Sequence, residues 1–251
     1  MEAEEKLLKN WTNGSANYSS IIQEELSGPE ASAWHDLISE NIPDRKPLKV
    51  LDVGTGPGFF AIILTQAGHE VTAIDCTQAM LAEAKKNAAG RNLEINFQEA
   101  DSHDLPFETG SFDLAISRNV AWTLIDAQKA YGEWHRVLND NGRTLIFDAN
   151  WNHHLFNEDY RMAHERDLAE FRQLYPYKEP HPMTTEMIDY RKSMPQCARV
   201  RPAWDIGALI KAGFDTVYVD TNVGPRVYDQ ATLLIYRTYP MFMLVAAKRP
   251  N

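Results

Sequence analysis

The chain has 251 residues, 44% of them apolar and 10% aromatic, which suits one α/β domain with an elaboration around a sizeable core. A formal charge of −10 argues against nucleic acid as a partner, and two distant cysteines, Cys76 and Cys197, make neither a disulfide framework nor a metal-like spacing. No apolar run approaches the roughly 18 residues that span a bilayer, and the opening MEAEEKLLKN lacks an apolar core, so a cytoplasmic protein without a membrane partner is expected.

Residues 1–46 read as a mostly helical lead-in centred on NWTNGSANYSSIIQEEL (10–26). From 47 to 150 strand-like and helix-like segments alternate. LKVLDV (48–53) reads as a buried strand, and FFAIILTQAG (59–68) as a helix with Gly68 just past its end. EVTAID (70–75) is the second strand, and TQAMLAEAKKNAAG (77–90) a helix that Thr77 can cap and Gly90 can end. Strands follow at 93–100, 112–119 and 143–150. Between the last two, DAQKAYGEWHRVLNDNG (126–142) reads as a helix capped by Asp126.

Residues 151–202 interrupt this rhythm with a helical pattern at 157–175, prolines and four histidines. A helix at 203–213 and strands at 214–220 and 241–249 then resume it. The order predicts a Rossmann-like, doubly wound, mostly parallel seven-stranded sheet, with an N-terminal helical lid (1–46) and an inserted helical cap (151–202). The core would span 47–150 and be completed by 203–251, with its ligand beyond the carboxyl ends of the strands.

VLDVGTGPGFF (50–60) raises the central question, because three alternating glycines after a strand let a ligand lie against the backbone. A dinucleotide fingerprint needs a small residue where Phe59 stands, and no Gly-Lys-Ser/Thr follows for a P-loop. The stretch instead resembles the first motif of the class I S-adenosylmethionine-dependent methyltransferases, D/E-x-G-x-G-x-G, with Asp52, Gly54, Gly56 and Gly58 at its defined positions. EADSHDLPF (99–107), SFDLAISRNVAWTL (111–124) and WHRVLNDNGRTLIFD (134–148) resemble the family's later motifs in order and spacing. The last departs from the usual Leu-x-Pro-Gly-Gly, keeping only Asn141-Gly142.

The resemblance implies a methyl transfer from S-adenosyl-L-methionine, leaving S-adenosyl-L-homocysteine, to a small-molecule acceptor. It places Tyr18, Asp52, Gly54, Thr55, Gly56, Gly58, Asp75, Cys76, Met80, Asp101, Ser102, Ser117 and Arg118 at the cofactor, with Asp75 on the ribose hydroxyls and Asp101 near the adenine amino group. Asp52 either meets the ligand's ammonium group or braces the loop. Trp11 and Tyr18 either fold over the cofactor or simply pack.

Asn119, Trp122, Trp151, Asn152 and Tyr160 are candidates for the acceptor, and His153 or His154 for a base, against the plainer reading of a polar loop. Arg161, Arg199, Arg201, Arg226 and Tyr228 could hold a polar acceptor or form surface salt bridges. No spacing among His153, His154, His164 and His181 supports a metal site, so none is expected. The competing functions are a non-catalytic S-adenosylmethionine-binding module and a nicotinamide-dependent oxidoreductase. A monomer or homodimer is expected.

Overall fold

The computed structural model describes residues 2–178 and 183–249. In chain order the elements are α1 (Glu2–Ser27), α2 (Glu30–Ser39), β1 (Lys49–Val53), α3 (Phe59–Gln66), β2 (Glu70–Asp75), α4 (Gln78–Ala89), β3 (Asn96–Glu99) and β4 (Phe112–Arg118). Then come α5 (Ala127–Val137), β5 (Leu138–Asp148), α6 (Glu158–Leu174), α7 (Thr185–Ser193), α8 (Ala203–Ala212), β6 (Thr216–Asp220), α9 (Gly224–Val227), α10 (Gln230–Ile235) and β7 (Phe242–Ala247).

The seven strands form one sheet in the order β3-β2-β1-β4-β5-β7-β6. All pairings are parallel except those of β7, which runs antiparallel to both neighbours. Strand order reverses between β1 and β4, so the crevice for a ligand opens at their carboxyl ends. β1 is buried on both faces after its first residue, which explains its uninterrupted apolar run.

Each face of the sheet has its own core. On one, Trp34, Phe60 and Phe147 meet edge to face with centroids 5.0–5.6 Å apart beneath α2 and α3. On the other, Tyr131 and Trp134 of α5 are fully buried with Leu209 of α8.

Two local readings differ from the sequence-based ones. The helix expected over 126–142 stops at Val137, because Leu138 pairs with Phe112 and begins β5 five residues early. Asn141 then takes a left-handed conformation (φ 65°), which asparagine tolerates. Thr77 does not cap α4 through its side chain; its hydroxyl donates to Asp75 instead. Gly90 ends α4 as expected, in a right-handed conformation, and Gly68 adopts a positive φ. Asp126 caps α5 as expected, accepting from the Lys129 amide.

Candidate active site at the strand-order reversal

The loop leaving β1 is shaped by its glycines and braced by two carboxylates. A Cβ on Gly54, which sits at φ 65°, would lie 2.5 Å from Val120 Cγ2, so no side chain fits there. Gly58 caps α3 at φ 93°, against Ala84 of α4. Asp52 Oδ2 accepts from the Thr55 hydroxyl (2.6 Å) and the Ala61 amide (3.0 Å), tying the strand end to the first turn of α3. Burial pushes the Asp52 carboxyl up to about 7 against these bonds.

Asp75, at the end of β2, closes the loop from the other side. Its Oδ2 accepts from the Gly56 amide at 3.0 Å, and its Oδ1 accepts from both the amide and hydroxyl of Thr77 at 2.9 Å. Burial raises its pKa above the ordinary carboxylate value. After β3, Asp101 Oδ1 accepts from the amide and ring Nδ1 of His103, at 2.9 and 2.6 Å. His103 Nε2 takes the Asp126 amide at 3.2 Å, which fixes the ring proton on Nδ1. Both bonds to Asp101 therefore fall on Oδ1.

These residues enclose a cavity of about 520 Å³, within the usual range for a small-molecule site. Tyr18, Asp52, Gly54, Thr55, Gly56, Asp75, Cys76, Met80, Asp101, Ser102 and Arg118 all line it. Asn119 lines it too, whereas Gly58 and Ser117 stand behind the wall. Its roof is α1, contributing Leu7, Leu8, Trp11, Tyr18 and Ile22. α1 is anchored by a chain of amides: Gln23 donates to Asn87 of α4, and Asn87 donates to Ser19 and to the Pro57 carbonyl in the glycine loop.

A methyltransferase-domain family model matches residues 51–146, the stretch that carries every one of these loop and strand-end carboxylates. A demethylmenaquinone methyltransferase from Thermus thermophilus is 37% identical over 117 residues, 46% of this chain and 53% of that protein. Among solved structures, an S-adenosylmethionine-dependent methyltransferase from Mesorhizobium loti superposes with a TM-score of 0.57 at 21% identity, covering 86% of this chain and 98% of that one. Residues 51–146 thus carry a domain similar to those of the class I S-adenosylmethionine-dependent methyltransferases. The [4+2]-cyclase SpnF shares the fold as well, with a TM-score of 0.58 at 17% identity over 87% of this chain and 81% of that one. The chain spans about half the length of the curated relatives it matches.

The residues present fit the family's cofactor, S-adenosyl-L-methionine. Arg118 lines the cavity beside the loop, and it is already balanced. Its guanidinium pairs with Glu25 of α1 at 2.7 Å and stacks over Phe59, with Cζ 4.3 Å from the ring centroid. Asn119 follows at φ 59°, and its Oδ1 is buried without a hydrogen-bond partner, as is Ser117 Oγ.

The structure scatters the residues expected at the acceptor. Trp122 is buried outside the cavity wall, 6.2 Å from Trp11 and 6.0 Å from Tyr190, centroid to centroid. Its amide donates to Asp148 Oδ2, and the Trp151 indole donates to Asp148 Oδ1, both at 2.8 Å. Asn152 is buried between Arg191 and Cys197.

His153, His154 and Tyr160 do not line the cavity. His153 packs edge-on to Tyr160 at 4.7 Å, and His154 stacks on His164 at 4.6 Å. Burial pushes the His154 imidazole down to about 4. Rather than a polar loop, the two histidines form a buried turn (His153–Leu155) packed on α6. Of the remaining candidates, Arg161 pairs with Glu158 and Glu165, Arg226 with Glu40, and Arg199 stacks on Trp204. Arg201 is fully buried, bonded to Asp148 at 2.8 Å and to Asp205 at 2.8 and 3.0 Å. Among the described residues no cluster of three or more histidines, cysteines and acids could hold a metal, and His181 lies outside them. No described helix is long and apolar enough to cross a membrane.

Sequence reasoning passed over Glu25, His103, Asp148 and Arg191. His103 had a local signal, since Asp101-x-His103 makes an Asx-type turn. Glu25 and Asp148 had none, because their partners lie far along the chain.

Proposed function

We propose that the chain transfers a methyl group from S-adenosyl-L-methionine to a small-molecule acceptor, enclosed between the carboxyl edge of the sheet and α1. The observation that carries this reading is the use of the loop amides. In a dinucleotide site they face a pyrophosphate; here the Gly56 amide is taken by Asp75 and the first-turn Ala61 amide by Asp52. Two carboxylates behind the loop repel a phosphate and suit a ligand with hydroxyl and ammonium groups.

In this reading Asp75 accepts the ribose hydroxyls through the capacity left on Oδ2, and Asp101 accepts the adenine amino group through Oδ2. Asp52 and Asn119 hold the amino-acid end. When bound, the cofactor supplies an electrophilic methyl on a sulfonium. The chain's part is to align that methyl with a nucleophile, to exclude water with Leu7, Leu8, Trp11 and Ile22, and to present the Tyr18 ring. With His153 and His154 off the cavity wall, the acceptor enters already nucleophilic or gives its proton to water.

Titration calorimetry decides the ligand: S-adenosyl-L-homocysteine binds and NAD does not. Tight NAD binding without S-adenosyl-L-homocysteine would overturn the proposal in favour of an oxidoreductase. Release of S-adenosyl-L-homocysteine in the presence of an acceptor excludes a purely binding role.

A further inference from the structure

Asp101 stands on the cavity wall with 59% of its side chain exposed, so packing alone does not decide which of its oxygens meets a ligand. A carboxylate so open changes rotamer freely, and fixing it costs entropy when a ligand binds. His103 removes that freedom. Its side chain is only 18% exposed and donates through Nδ1 to Asp101 Oδ1, the oxygen that also accepts the His103 amide. The ring is held at its other nitrogen by Asp126, whose amide donates to Nε2. Asp126 is itself fixed, because its carboxylate caps α5 by accepting from the Lys129 amide. His103 and Asp126 both line the same cavity as Asp101.

The consequence is a carboxylate of fixed polarity and direction. Burial pushes the Asp101 carboxyl up, but the amide and ring of His103 outweigh it and hold it below the ordinary value, so it stays ionised and only accepts. With both described bonds on Oδ1, Oδ2 is left for the cavity. A 6-aminopurine offers that oxygen a donor. A 6-oxopurine offers an acceptor at the same place and carries its donor one ring position away, on N1. A carboxylate free to swing would follow the donor to N1 and take either base. One that is latched meets the 6-oxopurine acceptor to acceptor, and a site built to bond one substituent rejects the analogue that cannot answer it.

We propose that His103 is a positioning residue that sets the base selectivity of the site: latched to the amino end of α5 through Asp126, it holds Asp101 for a 6-aminopurine and against a 6-oxopurine. The assignment rests on the methyltransferase reading, which puts the adenine at Asp101. It adds to that reading a residue that acts through the carboxylate rather than on the ligand.

The test uses the full chain and calorimetry with S-adenosyl-L-homocysteine and its 6-oxo analogue, S-inosyl-L-homocysteine. The wild type binds the first about tenfold or more tightly than the second. His103→Leu keeps the main-chain bond to Asp101, loses the ring bond, and narrows that ratio to about threefold or less. His103→Asn, whose amide can donate where Nδ1 does, recovers most of the ratio. In an Asp101→Ala background His103→Leu changes the ratio no further, as expected of a residue that acts through Asp101. A wild type without preference, a ratio unmoved by His103→Leu even where both ligands weaken equally, no recovery in His103→Asn, or a further narrowing in the Asp101→Ala background overturns the assignment. Failure of S-adenosyl-L-homocysteine to bind the wild type overturns the methyltransferase reading instead, and adenosine against inosine on the same variants then decides His103.

Discussion

The wall facing the glycine loop takes Asp52, Gly54, Gly56, Asp75 and Asp101 from three strand ends that follow one another in the chain. The opposite side of the cavity is assembled from α1 and the turn after β4. Beyond it, that turn and the segments after β5 and before α8 are joined by bonds between residues far apart in sequence, with Asp148 receiving Trp122, Trp151 and Arg201 together. The first construction is a local motif that any chain with this strand order can carry. The second depends on partners that must all be present at once, and much of it lies outside residues 51–146, where the family match runs. Cofactor recognition and acceptor recognition can therefore diverge independently.

The largest effect should come from the keystone of the second construction. Arg201→Met leaves the carboxylates of Asp148 and Asp205 buried without their cation, and should cost about 3–5 kcal/mol in urea unfolding. A loss below about 1 kcal/mol would mean that the network is not holding the acceptor side together.

Asp75→Ala tests the first construction. It removes a proposed ribose acceptor and also the partner of the Gly56 amide and of Thr77. S-adenosyl-L-homocysteine affinity should fall about 10- to 100-fold by calorimetry, with about 1–3 kcal/mol of stability lost. Full stability with lost affinity would show that the loop holds its shape without Asp75.

The same contrast sets what could be read in advance. β2 (Glu70–Asp75) was legible to the residue, because apolar alternation and the strand-end acid are local signals. So were the glycines, since Gly54 and Gly58 answer to steric demands of their own backbone. α1 was legible only in part: Thr12-Asn13-Gly14-Ser15 are poor helix formers, and the helix runs through them because both of its ends are packed. The start of β5 was misread because pairing of Leu138 with Phe112 is a long-range event. His153 and His154 looked like site residues because nothing in two adjacent histidines tells which way they face.

A smaller effect should appear as proton linkage at Asp52. Its carboxyl is raised to about 7 in the free protein, so near pH 7 about half the molecules carry a proton there. A bound ammonium group favours the ionised form, so binding should release about half a proton at pH 7. The sign follows directly: below pH 7 the proton competes with the ligand, and affinity should fall about fivefold from pH 7 to pH 6. Calorimetry in buffers of different ionisation enthalpy measures the release. Adenosine, which lacks the amino-acid end, should show none; equal release by both ligands would place the ammonium elsewhere.

The smallest expected effect tests how the roof meets the acceptor side. Lys9 of α1 and Glu186 of α7 form an ion pair at 2.6 Å, with 64% and 74% of the two side chains exposed. An exposed pair of this kind adds little to stability, so Lys9→Ala should change unfolding by less than about 0.5 kcal/mol. Its kinetic role is separable, because the pair ties the roof to α7. The release rate of S-adenosyl-L-homocysteine should rise about twofold in the variant at low salt. At high salt, where the pair is already screened, variant and wild type should release at the same rate. An unchanged rate at low salt would show that Trp11, packed against Trp122, closes the roof by apolar contact alone.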